Sequence, residues 1–451
     1  MHQNNPDKTG ISQMLLLFLP VFVLLFLWSL VLPFGRSPDE EAHYLVAQYL
    51  FQNHRLPIGT EPELRIEGWG FSYAFQPYLS YMIAALNMRI VSLFTDNGYW
   101  LIIAARFVNV VMGSLMVVVV FQIACCLFEP KHIRLLFTLM VTLLPQNLFM
   151  HVYVNTDSMA VFSTSVIVLA WLKGLKNDWD LLSLSYLTSG LILCIMSYYN
   201  AYGFVLCSGI LFIRSLIQTK NKPLLIKKAL FVCIIVFFAV GWYFIRNAFY
   251  YDGDFLGLKI RNQYAELFAD YEHKPSSAHT WKGAGFSVFY MLFRTGFLKL
   301  LCQSFIGMFG RMDKPLPNAA YIFWGCLYIT GLLAFIGSIS VSVLNQHVPK
   351  KEAVLSSKDD ILFLHILFFF CIVIPLYLTI YRSYTVDYQP QGRYVLPALI
   401  PSSYFVCLGL EKMITNKKNT GYIICAGIIA ITLHVYLHMV VIPYFGRLAA
   451  L

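Results

Sequence analysis

Eleven apolar segments, each close to the length of a membrane-spanning helix, run through this chain with mostly short polar connections between them. A helix that crosses the hydrocarbon core of a bilayer needs about 20 consecutive, mostly apolar residues. The segments lie at about 13–33, 101–128, 135–151, 158–174, 181–199, 201–218, 227–249, 317–345, 360–381, 393–411 and 420–443. Because 58% of the residues are hydrophobic and only 12% are charged, the chain is predicted to be an all-α polytopic membrane protein.

Lysine and arginine are distributed unevenly between the segments, and this predicts the orientation of the chain. Cytoplasmic loops carry an excess of these residues. Every second connection holds such a group: Lys8; Lys131 and Arg134; Lys173 and Lys176; Lys220, Lys222, Lys227 and Lys228; Lys350, Lys351 and Lys358; Lys412, Lys417 and Lys418. We therefore expect a multi-pass protein of the cell membrane with a cytoplasmic N-terminus. These loops explain the net charge of +10 without nucleic acid as a partner.

Two connections on the predicted outer side are much longer than the others. We interpret 1–451 as one integral membrane domain, with 34–100 as the first outer loop and 246–316 as a second long outer segment. The apolar run 77–95 is long enough to span, but polar residues interrupt it, and a span here would reverse the charge bias of every later loop. We expect this run to lie as a helix in the outer interface.

The first outer loop begins with an unusual concentration of charge beside the membrane. It reads Ser37-Pro38-Asp39-Glu40-Glu41-Ala42-His43-Tyr44. Pro38 suits the first turn of a helix, so Asp39 and Glu40 are predicted at a helix N-terminus, whose dipole stabilises negative charge. His43 follows Asp39 by four residues and shares its helix face. The run is either a solvated helix cap or, because ionisable groups at a membrane are usually functional, part of an active site.

Further polar motifs fall on the same predicted face, and most of them have a structural alternative. Asp157 suits a helix cap, and Asp254 lies in a turn sequence. Arg106 and Arg246 have the alternative of reaching the lipid head groups. Arg393 is harder to explain structurally, since the glycine before it permits a close backbone approach.

Acids and bases on one face of a membrane indicate a substrate with an anionic head group and a lipid tail. The planar fork of arginine matches phosphate oxygens. Carboxylates at the same site would repel a phosphate and need a separate role. The obvious role is to remove the proton of an attacking hydroxyl.

The ordered set of motifs resembles a bacterial family of polytopic membrane proteins of unknown function within the C-type glycosyltransferase (GT-C) superfamily. The resemblance extends over nearly the whole chain. The matching positions are Pro38-Asp39-Glu40 with His43 and Tyr44, Gln76-Pro77-Tyr78, Arg106 with Asn109, Pro145-Gln146, Asn155 with Asp157, Arg246-Asn247 with Gly253-Asp254, and Gly392-Arg393-Tyr394 with Pro397.

The resemblance implies a GT-C-like core of about 11 transmembrane helices with interfacial helices in the first outer loop. It implies an enzyme that moves a sugar from a polyprenyl-phosphate-linked donor to an extracytoplasmic cell-envelope glycan, with inversion. Its acidic pair maps onto Asp39, as general base, and Glu40. The remaining implied roles are donor-phosphate binding by Arg393, Arg246, Arg106 and Tyr394, and substrate binding by His43, Gln76, Asn155, Asp157 and Asp254.

No cofactor is predicted, although some GT-C relatives use a divalent cation. Carboxylates are the usual ligands of such an ion, and those available here are Asp39, Glu40, Asp157 and Asp254. Two other functions remain open: a transporter or flippase of lipid-linked glycans, and a non-catalytic scaffold for envelope assembly. Transporters often place polar groups at the bilayer midplane. The acidic groups of this chain lie at the outer boundary instead, which favours the enzyme.

Overall fold

The computed structural model describes residues 8–345, 358–414 and 417–448, so Lys350 and Lys351 lie outside the described residues. The described chain is almost entirely helical. The α-helices are α1 Lys8–Val31, α2 Glu40–Asn53, α3 Leu79–Ser92, α4 Gly98–Leu127, α5 Lys131–Thr142, α6 Pro145–Met150, α7 Asp157–Lys176, α8 Leu181–Ile195, α9 Gly203–Gln218, α10 Lys222–Tyr250, α11 Leu258–Phe268, α12 Val288–Arg294, α13 Phe297–Ile306, α14 Asn318–Asn345, α15 Lys358–Thr385, α16 Leu399–Ile414, α17 Lys418–Tyr436 and α18 Phe445–Leu448.

Short irregular elements connect these helices. The 3₁₀-helices are Pro62–Leu64, Tyr73–Phe75, Tyr199–Ala201, Tyr271–His273 and Gly392–Ala398, and Leu437–Val441 is a π-helical turn. The strands β1 (Met308–Phe309) and β2 (Lys314–Pro315) pair antiparallel, with Met308 opposite Pro315.

Eight helical stretches of the described chain are long and apolar enough to cross a membrane. They are Gly98–Leu127, Asp157–Lys176, Tyr199–Gln218, Lys222–Tyr250, Asn318–Ser338, Asp359–Thr385, Gly392–Ile414 and Lys418–Val441. The apolar parts of α1 and α8 are shorter, at Leu16–Val31 and Leu181–Ile195. Ten of the eleven predicted segments thus correspond to one apolar helix each, and the polytopic helical fold is confirmed.

The predicted continuous helix 135–151 is wrong, because this stretch forms the two short helices α5 and α6. A proline disfavours the helical conformation of the residue before it, and Leu144 accordingly has an extended ψ of 125°. Pro145 begins α6, where its missing N–H is tolerated. Both helices are largely buried in the main hydrophobic core. Such a break is tolerated at membrane depth because protein covers it.

The first outer loop folds into a compact layer on the helical core. Its helices α2 and α3 pack on each other and on α4, around a second hydrophobic cluster that includes Tyr44, Val46, Tyr81 and Met88. The 14 residues of α3 span only about 21 Å, less than the roughly 30 Å of a hydrocarbon core. This length agrees with the predicted interfacial helix, and the layer holds the acidic motif against the helix ends.

Candidate active site

Asp39 stands at the start of α2, as predicted, but its carboxylate does not cap the helix. Its backbone is in the left-handed region, with φ 57° and ψ 10°, a conformation that costs a residue with a side chain about 1–3 kcal/mol. The carboxylate Oδ2 instead accepts a hydrogen bond of 2.7 Å from Nη2 of Arg393. The Asp39 side chain is 41% exposed, whereas Arg393 is 3% exposed. The backbone strain therefore accompanies a carboxylate that is held by a buried cation and is still open to a substrate.

Arg393 lies in the 3₁₀-helix Gly392–Ala398, before α16. Its Nη2 also donates to the hydroxyl of Tyr394 at 3.0 Å, and its charge acts on Tyr153 and Asp157. The Nε and Nη1 groups of Arg393 are buried and have no partner among the described residues. The structure thus brings four predicted site residues together: Asp39, Asp157, Arg393 and Tyr394.

Gly392 is required for the position of Arg393. A Cβ atom at residue 392 would lie 2.0 Å from the backbone nitrogen of Phe305 in α13. The Gly392 N–H also donates to the Ser304 hydroxyl at 2.7 Å. The close backbone approach predicted from the sequence is therefore present, and α13 supports the 3₁₀-helix that carries the arginine.

We expect Gly392→Ala to move this 3₁₀-helix away from α13 and Arg393 away from Asp39. The free energy of unfolding should fall by about 1–3 kcal/mol, as for other overpacked sites. Thermal unfolding of the purified protein measures this loss. Gly209→Ala is the matched control, because a Cβ at residue 209 in α9 meets open space. An unchanged midpoint for Gly392→Ala would contradict the role given to the glycine.

His43 supports Asp39 from the same face of α2. Its ring stacks on Tyr73 with a centroid distance of 4.1 Å, and its Nδ1 hydrogen-bonds the Tyr81 hydroxyl. Burial opposes ionisation of Asp39, but the charge of Arg393 and hydrogen bonds from Arg393 and Tyr73 outweigh it and lower the pKa of Asp39. Burial lowers the pKa of His43 to about 4, although Asp39 acts in the opposite direction. At neutral pH the carboxylate is therefore ionised and the imidazole is neutral.

This pKa shift makes His43 a source of pH-dependent stability. The pKa of His43 is 6.5 in the unfolded chain and about 4 in the folded chain. Between these two pH values the unfolded chain binds a proton that the folded chain does not. The folded state therefore has the full contribution of His43 to stability above pH 6.5, and it loses about 3 kcal/mol of this contribution as the pH falls towards 4. We expect the unfolding midpoint to fall less between pH 7.5 and 4.5 in His43→Gln than in wild type. His279→Gln, at an exposed position, is the control, and equal slopes for all three proteins would refute the assignment.

Glu40 and Arg106 form a buried ion pair and do not face a substrate. Nε and Nη2 of Arg106 donate to Oε1 and Oε2 of Glu40 at 2.7 and 3.0 Å, and the side chains are 1% and 0% exposed. The carboxylate also accepts the backbone N–H groups of Gly35 and Val154. The Nη1 group of Arg106 donates to two carbonyl oxygens at the end of α1. The geometry argues against the predicted catalytic role of Glu40 and the predicted phosphate contact of Arg106.

Arg246, Asp254 and Asn155 also have structural partners. Arg246 donates to the carbonyl of Pro57 at 2.8 Å and thereby ties α10 to the first outer loop. Asp254 accepts the N–H groups of Lys259 and Ile260 at 2.7 and 3.0 Å, at the start of α11. The local structural role considered for Asp254 is thus present, whereas Arg246 bonds to a backbone carbonyl instead of extending to the lipid head groups.

The side chain of Asn155 accepts the N–H of Ser158 and donates to the carbonyl of Met150, at the start of α7. Asn155, not Asp157, therefore bonds the first turn of α7.

Gln76 lies close to the site along the chain, directly after the 3₁₀-helix that carries Tyr73. Its side chain is 5% exposed, and its Oε1 has no hydrogen-bond partner in the described chain.

The four carboxylates considered for a divalent cation do not converge, because Arg106 engages Glu40 and Asp254 caps α11. Within the described residues there is no group of three potential metal-ligating side chains.

Sequence reasoning missed several residues that surround the site. These are Tyr73, Tyr81 and Tyr153 near Asp39 and Arg393, and Arg261, Tyr198 and Arg382 near Tyr394. Tyrosines are common at membrane interfaces, and an arginine at the end of an apolar helix commonly reaches the head groups. The sequence therefore carries no signal that separates these side chains from ordinary interfacial residues.

Comparison with known proteins identifies a matching family and solved structures with a similar fold. Residues 52–401 match the family described as "Predicted membrane protein (DUF2142)". A search of curated proteins found no match. ArnT from Cupriavidus metallidurans bound to undecaprenyl phosphate has a TM-score of 0.51 and 13% identity, over 92% of this chain and 64% of that chain. The archaeal oligosaccharyltransferase AglB from Archaeoglobus fulgidus was solved in complex with an inhibitory peptide and a dolichol-phosphate. It has a TM-score of 0.50 and 14% identity, and the match covers 96% of this chain and 55% of the AglB chain.

The chain thus spans less than two thirds of the length of each of these solved structures. At such low identities the likeness shows the fold alone, which is the GT-C-like polytopic membrane fold of these structures.

Proposed function

Since the chain belongs to the DUF2142 family of membrane proteins and has a GT-C fold, we propose that it is a cell-envelope glycosyltransferase. It takes a sugar from a polyprenyl-phosphate-linked donor and transfers it to a hydroxyl of an extracytoplasmic glycan. The observation that carries the proposal is the exposed, ionised carboxylate of Asp39 beside the buried guanidinium of Arg393. The carrier lipid in the ArnT and AglB structures supports this class of donor.

Asp39 is the general base of this reaction. The acceptor oxygen bonds to the anomeric carbon and gives its proton to the carboxylate, while the bond from that carbon to the phosphate oxygen breaks and the phosphate keeps the electron pair. A glycosyl phosphate carries a good leaving group, so no strong acid is needed. The low pKa of Asp39 is suitable because it keeps the carboxylate ionised. The hydroxyl proton becomes acidic only as the new bond forms.

The arrangement supports inversion at the anomeric carbon. Retention through a covalent intermediate uses a second carboxylate next to the reacting bond. Glu40 follows Asp39 in the sequence, but its two oxygens are occupied by Arg106 and backbone N–H groups. Asp157, the other carboxylate near Arg393, is only 7% exposed, whereas Asp39 is 41% exposed. A single displacement with Asp39 as the base therefore fits the geometry best.

Deletion of the gene in its own host tests the proposal. We expect the sugar composition and linkages of the surface polymers to lose one sugar branch. Wild type should restore the branch and Asp39→Asn should not. Glu41→Gln is the matched control, because Glu41 is a carboxylate two positions from Asp39 whose ion pair with Arg311 is exposed. Full restoration by Asp39→Asn would indicate transport or scaffolding in place of transfer.

A further inference from the structure

Two arginines near the site, Arg261 on α11 and Arg382 in the last turn of α15, have unused hydrogen-bonding capacity. Within residues 8–345, 358–414 and 417–448, neither guanidinium group makes a hydrogen bond or an ion pair. Both side chains are half-buried, and the Nε of each is fully buried without a partner. Leaving buried N–H donors unpaired costs free energy. An arginine presents five such donors in a rigid fork suited to phosphate.

The two arginines lie close enough for their charges to interact. Burial and the nearby charge of Arg382 lower the pKa of Arg261, so two like charges lie near each other. Phe71, the ring next to Arg261, packs edge-on against Tyr73 with a centroid distance of 5.9 Å, and Tyr198 and Tyr394 line a cleft together with Arg382. The ring of Phe71 lies 4.0 Å from the Arg261 guanidinium and supports its plane. An anion between the arginines would relieve their repulsion.

The surrounding groups leave this charge uncompensated. The carboxylate of Asp387 acts on Arg382 from a distance, but the two form no ion pair in the described chain, and Asp387 accepts a hydrogen bond from Gln389. Arg382 lines a narrow cleft with Tyr198, Gln389 and Tyr394. The cleft adjoins the site of Asp39, because the Tyr394 hydroxyl accepts a hydrogen bond from Arg393 at 3.0 Å.

The geometry of an inverting displacement separates the roles of these arginines from that of Arg393. The acceptor hydroxyl, hydrogen-bonded to the base, and the leaving phosphate lie on opposite sides of the anomeric carbon. With a hydrogen bond of about 3 Å and a reacting distance of about 3 Å, the phosphate lies roughly 6 Å or more from the carboxylate. Arg393 bonds directly to Asp39 at 2.7 Å and therefore lies on the base side of the reacting carbon, and its side chain is only 3% exposed. Arg393 is therefore in the position of a residue that orients the base.

We infer that Arg261 and Arg382 bind the phosphate group of the lipid-linked donor, whereas Arg393 positions Asp39. This inference rests on the proposed function and names the residues that hold its leaving group. It departs from the sequence-based prediction that Arg393, Arg246 and Arg106 share this role. Two of those three donate to carbonyl or carboxylate oxygens of the protein, and the third holds the base.

Binding of undecaprenyl phosphate to the full-length protein in detergent, measured by native mass spectrometry, tests the inference. Arg261→Gln and Arg382→Gln should each lower the affinity at least tenfold, since a hydrogen bond to a charged group contributes about one order of magnitude. Arg393→Gln should keep the affinity within about threefold and lose transfer. Arg294→Gln, an exposed arginine of the same outer segment, is the matched control and should bind like wild type.

Two further ligands define the chemistry that is recognised. Undecaprenol, which lacks the phosphate, should bind wild type and both variants equally weakly. Inorganic phosphate should bind wild type at least a hundredfold more weakly than the lipid phosphate, and equal binding of the two would show a site for free phosphate in place of a carrier. Unfolding midpoints of all variants exclude loss of the fold, and Arg382→Lys, which keeps the charge, should retain part of the affinity.

Unchanged affinity in Arg261→Gln and Arg382→Gln, or an equal loss in Arg393→Gln, would overturn the inference. The failure of the proposed function has a different signature, namely full transfer activity of Asp39→Asn. Each result can occur without the other, so the two hypotheses are tested separately.

Discussion

Replacing Asp39 with asparagine is expected to lower the rate of sugar transfer by about 10²- to 10⁴-fold, the usual contribution of one positioned general base. The amide keeps the size of the carboxylate and still accepts a hydrogen bond from Arg393, but it cannot take a proton from the acceptor. The side chain is 41% exposed, so water replaces part of the lost charge interaction and the protein should remain folded.

The measurement is the release of polyprenyl phosphate by purified protein from the lipid-linked sugars of its host, in the presence of an envelope extract as acceptor. Glu41→Gln is the control, because it removes the neighbouring negative charge outside the site. Turnover of Asp39→Asn at the wild-type rate would remove Asp39 from the role of base. Reduced turnover in both variants would indicate a general effect of charge on this loop.

Glu40→Gln or Arg106→Gln is expected to cause the largest loss of stability, about 3–5 kcal/mol, because each leaves one buried group of an ion pair without its partner. The pair connects the end of α1, the acidic loop, α4 and the chain before α7. The double variant Glu40→Gln/Arg106→Met removes both charges and should lose less than either single variant. Unfolding of the purified proteins, by heat or denaturant, measures these differences.

Arg311→Gln is the control for this prediction. Its ion pair with Glu41 is exposed, with side chains 61% and 58% accessible, and such pairs contribute at most about 1 kcal/mol. A Glu40→Gln protein as stable as wild type would contradict the structural role. The rate of sugar transfer per folded molecule distinguishes a structural role of Glu40 from a catalytic one. If the role is purely structural, this rate stays near the wild-type value in Glu40→Gln.

Much of the fold follows from local properties of the chain. Bilayers require long apolar helices whose backbone groups are satisfied internally, so hydropathy alone located ten of the eleven segments. The start of α2 at the Asp39-Glu40 pair was also predicted correctly, although Pro38 precedes the N-cap and does not lie in the first turn of the helix. The break before Pro145 also has a local cause, the proline itself. It was not predicted, because the apolar run 135–151 is long enough to be read as one helix.

The partners of the charged side chains were not predictable in this way. Asp39 meets Arg393 across 354 positions of sequence, and Glu40 meets Arg106 across 66, so two adjacent acids of one motif have different roles. Hydropathy and helix periodicity describe which residues lie at helix ends, because these are properties of a few neighbouring residues. Which helix ends pack together, and hence which arginine is buried against a carboxylate and which stays unpaired, depends on the packing of the whole chain.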